Sequence, residues 1–421
     1  MAASSYYATI ELAETIKKKN GSVKIVFGGQ LFIDPSYREK VFSESVVDYV
    51  FCGEADESLP QLTSIIAKGN DLCECKGIYV RNGTESIFTG ERMQSASLDT
   101  LPYMDFSDLK IEDYDDRVHI GLMASRGCIW NCAFCSSRSF WQGYRFMSGE
   151  RIHQEITYHR MTQKIGMSHV DFMDLAFNGS MERVQEFCEL MIKYPPYPKS
   201  HKMQWTANAV ITPKLTQEML AMMAEAGCQR LIFGIESGSQ KVLGLMKKKY
   251  DIKVAKKVIK DAAKAGIRVT ANFMFGFPGE TEEDFDETLN FLKETAGSYE
   301  RVYPSRTYCA LEEFSYFHQH PDEFGIKMPC SHHLYWETAD GKNNYPVRLK
   351  RCQKFEELCS KMGVRVDCGV KTDVHMDEWF NLGYYYEYIG DYESARKYFL
   401  QYQQIDPKNE VINNKLKAMG K

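Results

Sequence analysis

Long apolar runs are missing from this sequence: nowhere in its 421 residues does one approach the ~20 positions of a membrane-crossing helix. Residues 1–20 also lack the order basic, apolar, small that marks a signal peptide. No surplus of positive charge exists either. Lys+Arg 52 against Asp+Glu 57 gives −5, which argues against a broad nucleic-acid-binding surface. Hydrophobic residues at 44% and charged residues at 26% exclude disorder and fibrous classes. The expectation is a cytoplasmic globular protein of two or three domains, at roughly 150 residues each. The 13 cysteines are odd in number and scattered, so no disulfide framework is expected and most read as small buried hydrophobes.

Strand and helix patterns alternate along most of the chain. Tyr6–Lys19 has helical periodicity, stopped by Asn20-Gly21. Short apolar strands at 23–27 and 46–52 end in Gly28-Gly29 and Gly53-Glu54, with a helix over 58–67. Alternation of this kind predicts a parallel sheet. Residues 74–117 are polar and turn-rich, with Arg81-Asn82-Gly83 as a hairpin turn, and read as a connector. From 118 to 310 the spacing predicts six βα units, strands starting near Val118, His169, Gln204, Arg230, Val269 and Arg301. Thr212-Pro213 and Asp251 read as helix starts, and Thr281 to Asp284 as a capping box. Such a series folds as a barrel or partial barrel, with chemistry at the carboxyl ends of its strands. Residues 311–375 form an extension. The last segment, 376–421, reads as helices.

Three cysteines stand apart. Cys128, Cys132 and Cys135 follow the first barrel strand within eight residues. Three thiolates so spaced can wrap one face of an iron–sulfur cluster. Three ligands leave one iron of a 4Fe–4S cluster open to another molecule, by the logic that separates catalytic from structural sites. The alternatives are zinc, which needs a fourth ligand that no nearby spaced pair supplies, or buried free thiols.

This cysteine run, with the aromatic Phe134 before its last member, resembles the radical SAM superfamily. The resemblance implies a 4Fe–4S cluster on Cys128, Cys132 and Cys135, with S-adenosylmethionine (SAM) chelating the open iron. An electron then cleaves the sulfonium to a 5′-deoxyadenosyl radical that abstracts hydrogen from a substrate. Three further segments match the family pattern: Phe172-Met173-Asp174, Gly234 to Ser239, and Phe275 to Thr281. The resemblance therefore implies SAM contacts at Phe134, Asp174, Glu236, Ser237, Gly276 and Phe277. The bland reading of Glu236 is a barrel carboxylate paired with a Lys or Arg; that of Gly276 to Gly279 is a tight βα turn. Asn208 stands where relatives often carry Arg and reads as a satisfied structural residue.

Residues 8–70 resemble the second half of the cobalamin-binding domain that several subfamilies place before the barrel. That implies cobalamin contacts at Gly28, Gly29, Gly53 and Glu54. The opening strands of such a domain are not in the sequence, so weak cobalamin binding is expected. In the tail, Trp379, Leu382, Gly383, Tyr386, Ala395, Phe399 and Pro407 match the tetratricopeptide pattern. Tyr384, Tyr385, Tyr388 and Tyr402 are read as surface for a protein or peptide partner. His332 and His333 read as turn histidines.

The expected fold is thus α/β: a partial (β/α)6 radical SAM barrel over 118–310, a partial doubly wound α/β domain over 1–73, and an α-helical hairpin. The expected function is SAM cleavage driven by an external electron donor, acting on an unknown substrate with methyl transfer or cyclisation as outcome. An electron-transfer iron–sulfur protein and a partner-recruiting scaffold are the alternatives. Neither the substrate nor a nucleic-acid role is legible.

Overall fold

The computed structural model describes residues 6–420 except 84, 93, 96, 111–112, 114–118, 163–166, 197–202, 306–307, 329, 331 and 368–373. Val118, the expected start of the first barrel strand, and residues 306–307 of the expected sixth lie outside the described residues. The chain opens with Tyr6–Lys19 (α1), Val26–Phe27 (β1), Pro35–Ser43 (α2), Tyr49–Phe51 (β2), Ser58–Lys68 (α3), Ile78–Asn82 (β3) and Glu85–Phe88 (β4). His119–Leu122 (β5) follows. The pair Ser125–Arg126 (β6) and Arg145–Phe146 (β7) encloses Ser137–Phe140 (α4), and Gly149–Thr162 (α5) comes next. Then come His169–Phe172 (β8), Met181–Lys193 (α6), Gln204–Ala209 (β9), Gln217–Glu225 (α7), Cys228–Glu236 (β10), Gln240–Leu245 (α8), Ile252–Lys264 (α9), Arg268–Phe273 (β11), Glu282–Thr295 (α10) and Arg301–Pro304 (β12). The C-terminal part holds Tyr316–Gln319 (α11), Tyr345–Lys361 (α12), Val374–Tyr388 (α13), Tyr392–Ile405 (α14) and Glu410–Met419 (α15).

Two compact units result. One comprises Met1–Arg117, Met123–Ile129 and Ser136–Gly166; the other Val118–Leu122, Trp130–Cys135 and Met167–Lys421. In the first, the sheet order is β1-β2-β3-β4, with β1 and β2 parallel and β3 and β4 antiparallel. Phe32, Val41, Phe42, Val47 and Val50 fill its core. The hairpin at Arg81-Asn82-Gly83 is present, but its strands are not connector: β3 pairs with β2, so the sheet runs past residue 73. Polar edge residues hid that, because the outer strand β4 is largely exposed.

The second unit carries six parallel strands in the order β12-β11-β10-β9-β8-β5. Chain order and sheet order coincide, as consecutive βα units require. Apolar residues at alternate positions, such as Val170, Phe172, Trp205 and Phe233, are buried. Local signals set the helices. Asp251 accepts from the Lys253 N–H, and Thr281 and Asp284 form a reciprocal capping box. Helix α7 starts later than expected: its N-cap is Thr216, whose side chain accepts from the Met219 N–H, and Thr212-Pro213 forms a turn ahead of it. Two Thr residues four apart offer the same cap chemistry, and burial of Leu220 and Met223 selects the second.

The tail packs on the extension. Tyr335 and Tyr345 meet Leu382 and Tyr385 in one buried cluster, with Tyr345 and Tyr385 stacked at 5.7 Å. Gly383 permits the close α13–α14 approach: a Cβ there would lie 2.4 Å from the Phe399 ring. The tyrosine expectation is therefore corrected. Tyr385 is 3% and Tyr402 7% exposed, and Tyr384 is half-buried against Phe399; of the four, only Tyr388 is exposed, at 41%. Helix α13 carries aromatics on both faces because it is covered on both. Deleting residues 374–421 would uncover Tyr335 and Tyr345, so the truncated protein should aggregate on purification, read by size-exclusion chromatography. A monodisperse truncation would contradict this packing.

Candidate functional site

The cysteine loop is anchored at both ends by different means. Before it, the Arg126 guanidinium bonds Asp56 through two oxygens at 2.6 and 2.8 Å and also bonds Glu54. This pairing holds the Asp56 carboxyl below its usual pKa. After Cys128, the Ala133 N–H donates to the Met246 carbonyl at 2.9 Å, and the Ala133 carbonyl accepts from Phe317 N–H at 3.0 Å. Cys128, Cys132 and Cys135 form no disulfide and are each partly exposed. Three such cysteines in one short, anchored loop suit the chemistry of a 4Fe–4S cluster.

Glu236 ends β10. It has a left-handed backbone, φ 65°, unusual for a non-glycine residue and a mark of functional strain. Its Oε1 lies 3.1 Å from Lys248 Nζ, which also donates to the Gly234 carbonyl at 2.6 Å. A side chain on Gly234 would come within 2.5 Å of that Oε1. Lys248 Nζ sits over the Trp130 and Phe134 rings, at 5.4 and 5.8 Å from their centroids. Trp130 stacks on Tyr250, whose hydroxyl donates to the Ile235 carbonyl at 2.6 Å. The aromatic residues of the cysteine loop thus cover the same lysine that holds Glu236. Beside Glu236 opens a cavity of about 500 Å³ whose polar lining comes from Thr270, Asn272, Tyr303 and Ser305. Thr270 Oγ1 is buried with no hydrogen-bond partner among the described residues. Lys248, Asn272 and Tyr303 escaped the sequence reading. Asn272 and Tyr303 are in register with Gly234, one step before a register shift at Glu236, so parity counted from Glu236 would have missed them.

The turn after β11 is held from the extension. Gly276 has φ 77°, and a Cβ there would lie 2.2 Å from Arg348 Cγ. Asn343 Nδ2 donates to the Gly276 carbonyl at 2.8 Å. Glu280 accepts from the Gly276 N–H at 2.6 Å and from Arg351 at 2.7 Å. Burial pushes the Glu280 carboxyl up to about 7, against the pull of Arg351 and that N–H. Arg348 is fully buried, stacked 4.0 Å from the Trp336 ring, and donates to the Leu334 and Trp336 carbonyls.

Three of the expected SAM contacts, Asp174, Ser237 and Phe277, are buried and already have protein neighbours. Ser237 Oγ shares a hydrogen bond with Thr288, Asp174 lies 3.9 Å from Arg183, and Phe277 packs on Phe317. Asn208 donates to the Asp174 carbonyl at 2.9 Å, a structural role. In the first unit, Gly28-Gly29 and Gly53 end the two parallel strands, and Gly53 and Glu54 border a cavity of about 280 Å³. The Glu54 carboxylate is paired with Arg126 and Arg145, one on each oxygen.

Sheet and loop together define a partial parallel α/β barrel with a three-cysteine loop after its first strand. The radical SAM superfamily model matches residues 122–292, and the chain carries that domain. A tetratricopeptide repeat matches residues 379–409. The chain is 28% identical over 294 residues to an uncharacterized methyltransferase of Pyrococcus horikoshii, covering 69% of this chain and 62% of that one. It is 26% identical over 260 residues to the anaerobic magnesium-protoporphyrin IX monomethyl ester cyclase of Cereibacter sphaeroides, covering 60% and 42%. It therefore spans less than two thirds of the length of either relative. Its fold is similar to that of the radical SAM methyltransferase TsrM of Kitasatospora setae, solved with cobalamin and a 4Fe–4S cluster. The TM-score is 0.66 at 15% identity, over 93% of this chain and 83% of that one. It is also similar to the cobalamin-dependent enzyme OxsB, at TM-score 0.58 and 20% identity, over 76% and 46%. These two are likenesses of fold. A radical SAM domain implies a 4Fe–4S cluster and SAM. No described helix is long and apolar enough to cross a membrane.

Proposed function

We propose that this chain is a radical SAM enzyme that cleaves SAM reductively and abstracts hydrogen from a substrate. The observation that carries this reading is the anchored loop with three partly exposed cysteines that form no disulfide. Cys128, Cys132 and Cys135 would hold the cluster. When bound, that cluster supplies the electron for breaking the SAM sulfonium bond. Glu236 would accept from an ammonium or ribose hydroxyl, with Lys248 fixing its rotamer. Trp130 and Phe134 would exclude water from the lysine–carboxylate pair. The fixed turn at Gly276 would present its backbone to the adenine. The cavity beside Glu236 would take the substrate, with methyl transfer or cyclisation as the outcome by analogy with the relatives. An external donor supplies electrons, and the face of the tetratricopeptide hairpin that stays exposed, around Tyr388 and Tyr392, would be the part open to a protein partner. Free thiols and an oxidisable cluster fit the reducing cytoplasm. The test is anaerobic reconstitution with iron, sulfide, SAM and dithionite. 5′-Deoxyadenosine in the mass spectrum is the expected product, and its absence from a fully loaded protein would overturn the reading.

Cobalamin is the weaker of the implied cofactors. Glu54 is already paired, and a 280 Å³ cavity falls just below the range of drug-sized ligand pockets. Purified protein supplied with hydroxocobalamin and desalted should retain well under one equivalent. A full equivalent in the visible spectrum would restore cobalamin-dependent methyl transfer as the leading reaction.

A further inference from the structure

His119 and His169 open β5 and β8, and the two residues are register partners. Asp171 lies two residues further along β8, on the same strand face as His169. His119 Nδ1 is 3.1 Å from Asp171 Oδ2, and His169 Nε2 is 3.3 Å from Asp171 Oδ1. One donor atom from each of the three lies within 4.8 Å of the other two. A tetrahedral ion with bonds of about 2.0–2.1 Å sets its ligand atoms ~3.3 Å apart. The two short contacts end on different Asp171 oxygens, so side-chain rotation is needed to bring one atom from each residue to that spacing.

The surroundings suit a cation. Gly121, the register partner of Asp171, adds no side chain of its own, and the Met173 side chain lies beside it. Thr206 Oγ1 is hydrogen-bonded to His169 Nε2 at 3.0 Å, a contact that an ion on that nitrogen would replace. His119 and Asp171 side chains are each 41% exposed, which gives an ion a route from solvent, whereas His169 is buried. Arg230, a cation acting on His169, has its charge offset by Glu300 at 2.7 Å. Two imidazoles and one carboxylate select zinc-class transition ions over magnesium or calcium, which prefer oxygen alone.

We propose that His119, His169 and Asp171 form a second metal site, for a divalent transition ion, that clips the edge strand β5 to β8. Among the described residues, the four-residue strand β5 ends the sheet and has a single strand partner, β8. A metal cross-link at its amino end would fix the strand that leads toward the cysteine loop. This site is independent of the radical SAM reading, and neither stands or falls with the other.

The test uses the full chain carrying Cys128→Ser, Cys132→Ser and Cys135→Ser, so that the thiol loop takes no metal. After removal of metal with a chelator, the protein is titrated with Co²⁺. The expected result is one Co²⁺ per chain, with visible d–d bands and no thiolate-to-cobalt charge-transfer band. Adding His119→Ala or Asp171→Asn should weaken binding by roughly 100-fold or more, while circular dichroism stays unchanged. Both side chains are partly exposed, so the fold tolerates these changes; His119→Gln serves as a second variant. Absence of d–d bands would overturn the proposal and leave a hydrogen-bonded His–Asp–His set. So would a charge-transfer band, or affinity unchanged in the variants.

Discussion

Cys132→Ala should strip most of the iron from anaerobically purified protein and abolish 5′-deoxyadenosine formation. The substitution leaves two thiolates in the loop, and two cannot hold a cubane whose fourth iron is already open. The fold should survive. Cys132 is partly exposed, and the loop's anchors are backbone hydrogen bonds of Ala133 to Met246 and Phe317, which the substitution leaves in place. Iron and sulfide assays, with the brown absorbance of the reconstituted protein, read the effect. Circular dichroism checks the fold. A variant with full iron content that still cleaved SAM would remove Cys132 from the ligand set. An equal loss in Cys128→Ala and Cys135→Ala is expected, because each is one of three ligands.

Gly276→Ala should abolish SAM binding and destabilise the barrel unit. Two costs combine at this position. A left-handed backbone is strained for alanine, by about 1–3 kcal/mol. The new Cβ would also meet Arg348 Cγ at 2.2 Å, and displacing a packed side chain costs about 1–3 kcal/mol more. Arg348 has nowhere to go. Its guanidinium is stacked on Trp336 and bonded to Asn343, Leu334 and Trp336. The thermal midpoint should fall, and equilibrium dialysis with SAM should show no binding at concentrations that saturate the wild type. Arg348→Met tests the same contact more gently, since it keeps much of the stem and loses the hydrogen bonds; SAM affinity should drop while iron content holds. A Gly276→Ala protein with wild-type stability and SAM affinity would refute the role given to this turn.

Local chemistry made much of this protein legible in sequence. The cysteine spacing, the six strand runs, the Asp251 cap and the Thr281–Asp284 box each depend on residues a few positions apart, and all appear in the structure. Glu236 was singled out by its glycine-flanked strand end, and its lysine partner was foreseen as a type though not as Lys248. Distant pairings were another matter. Glu54 pairs with Arg126 and Arg145, and Arg348 fills the space that only a glycine at 276 leaves open. The tyrosines of α13 looked like a binding surface because a helix with aromatics on both faces gives no local sign of what covers it. His119 and His169 lie far apart in the chain and meet only through the parallel register of β5 and β8. Hydrophobic period and capping act within a turn or two of backbone, so sequence alone determined most of the elements and singled out the three cysteines proposed as cluster ligands. Register, buried ion pairs and shared aromatic packing arise when the elements meet, so only the tertiary structure decided which residues surround the site.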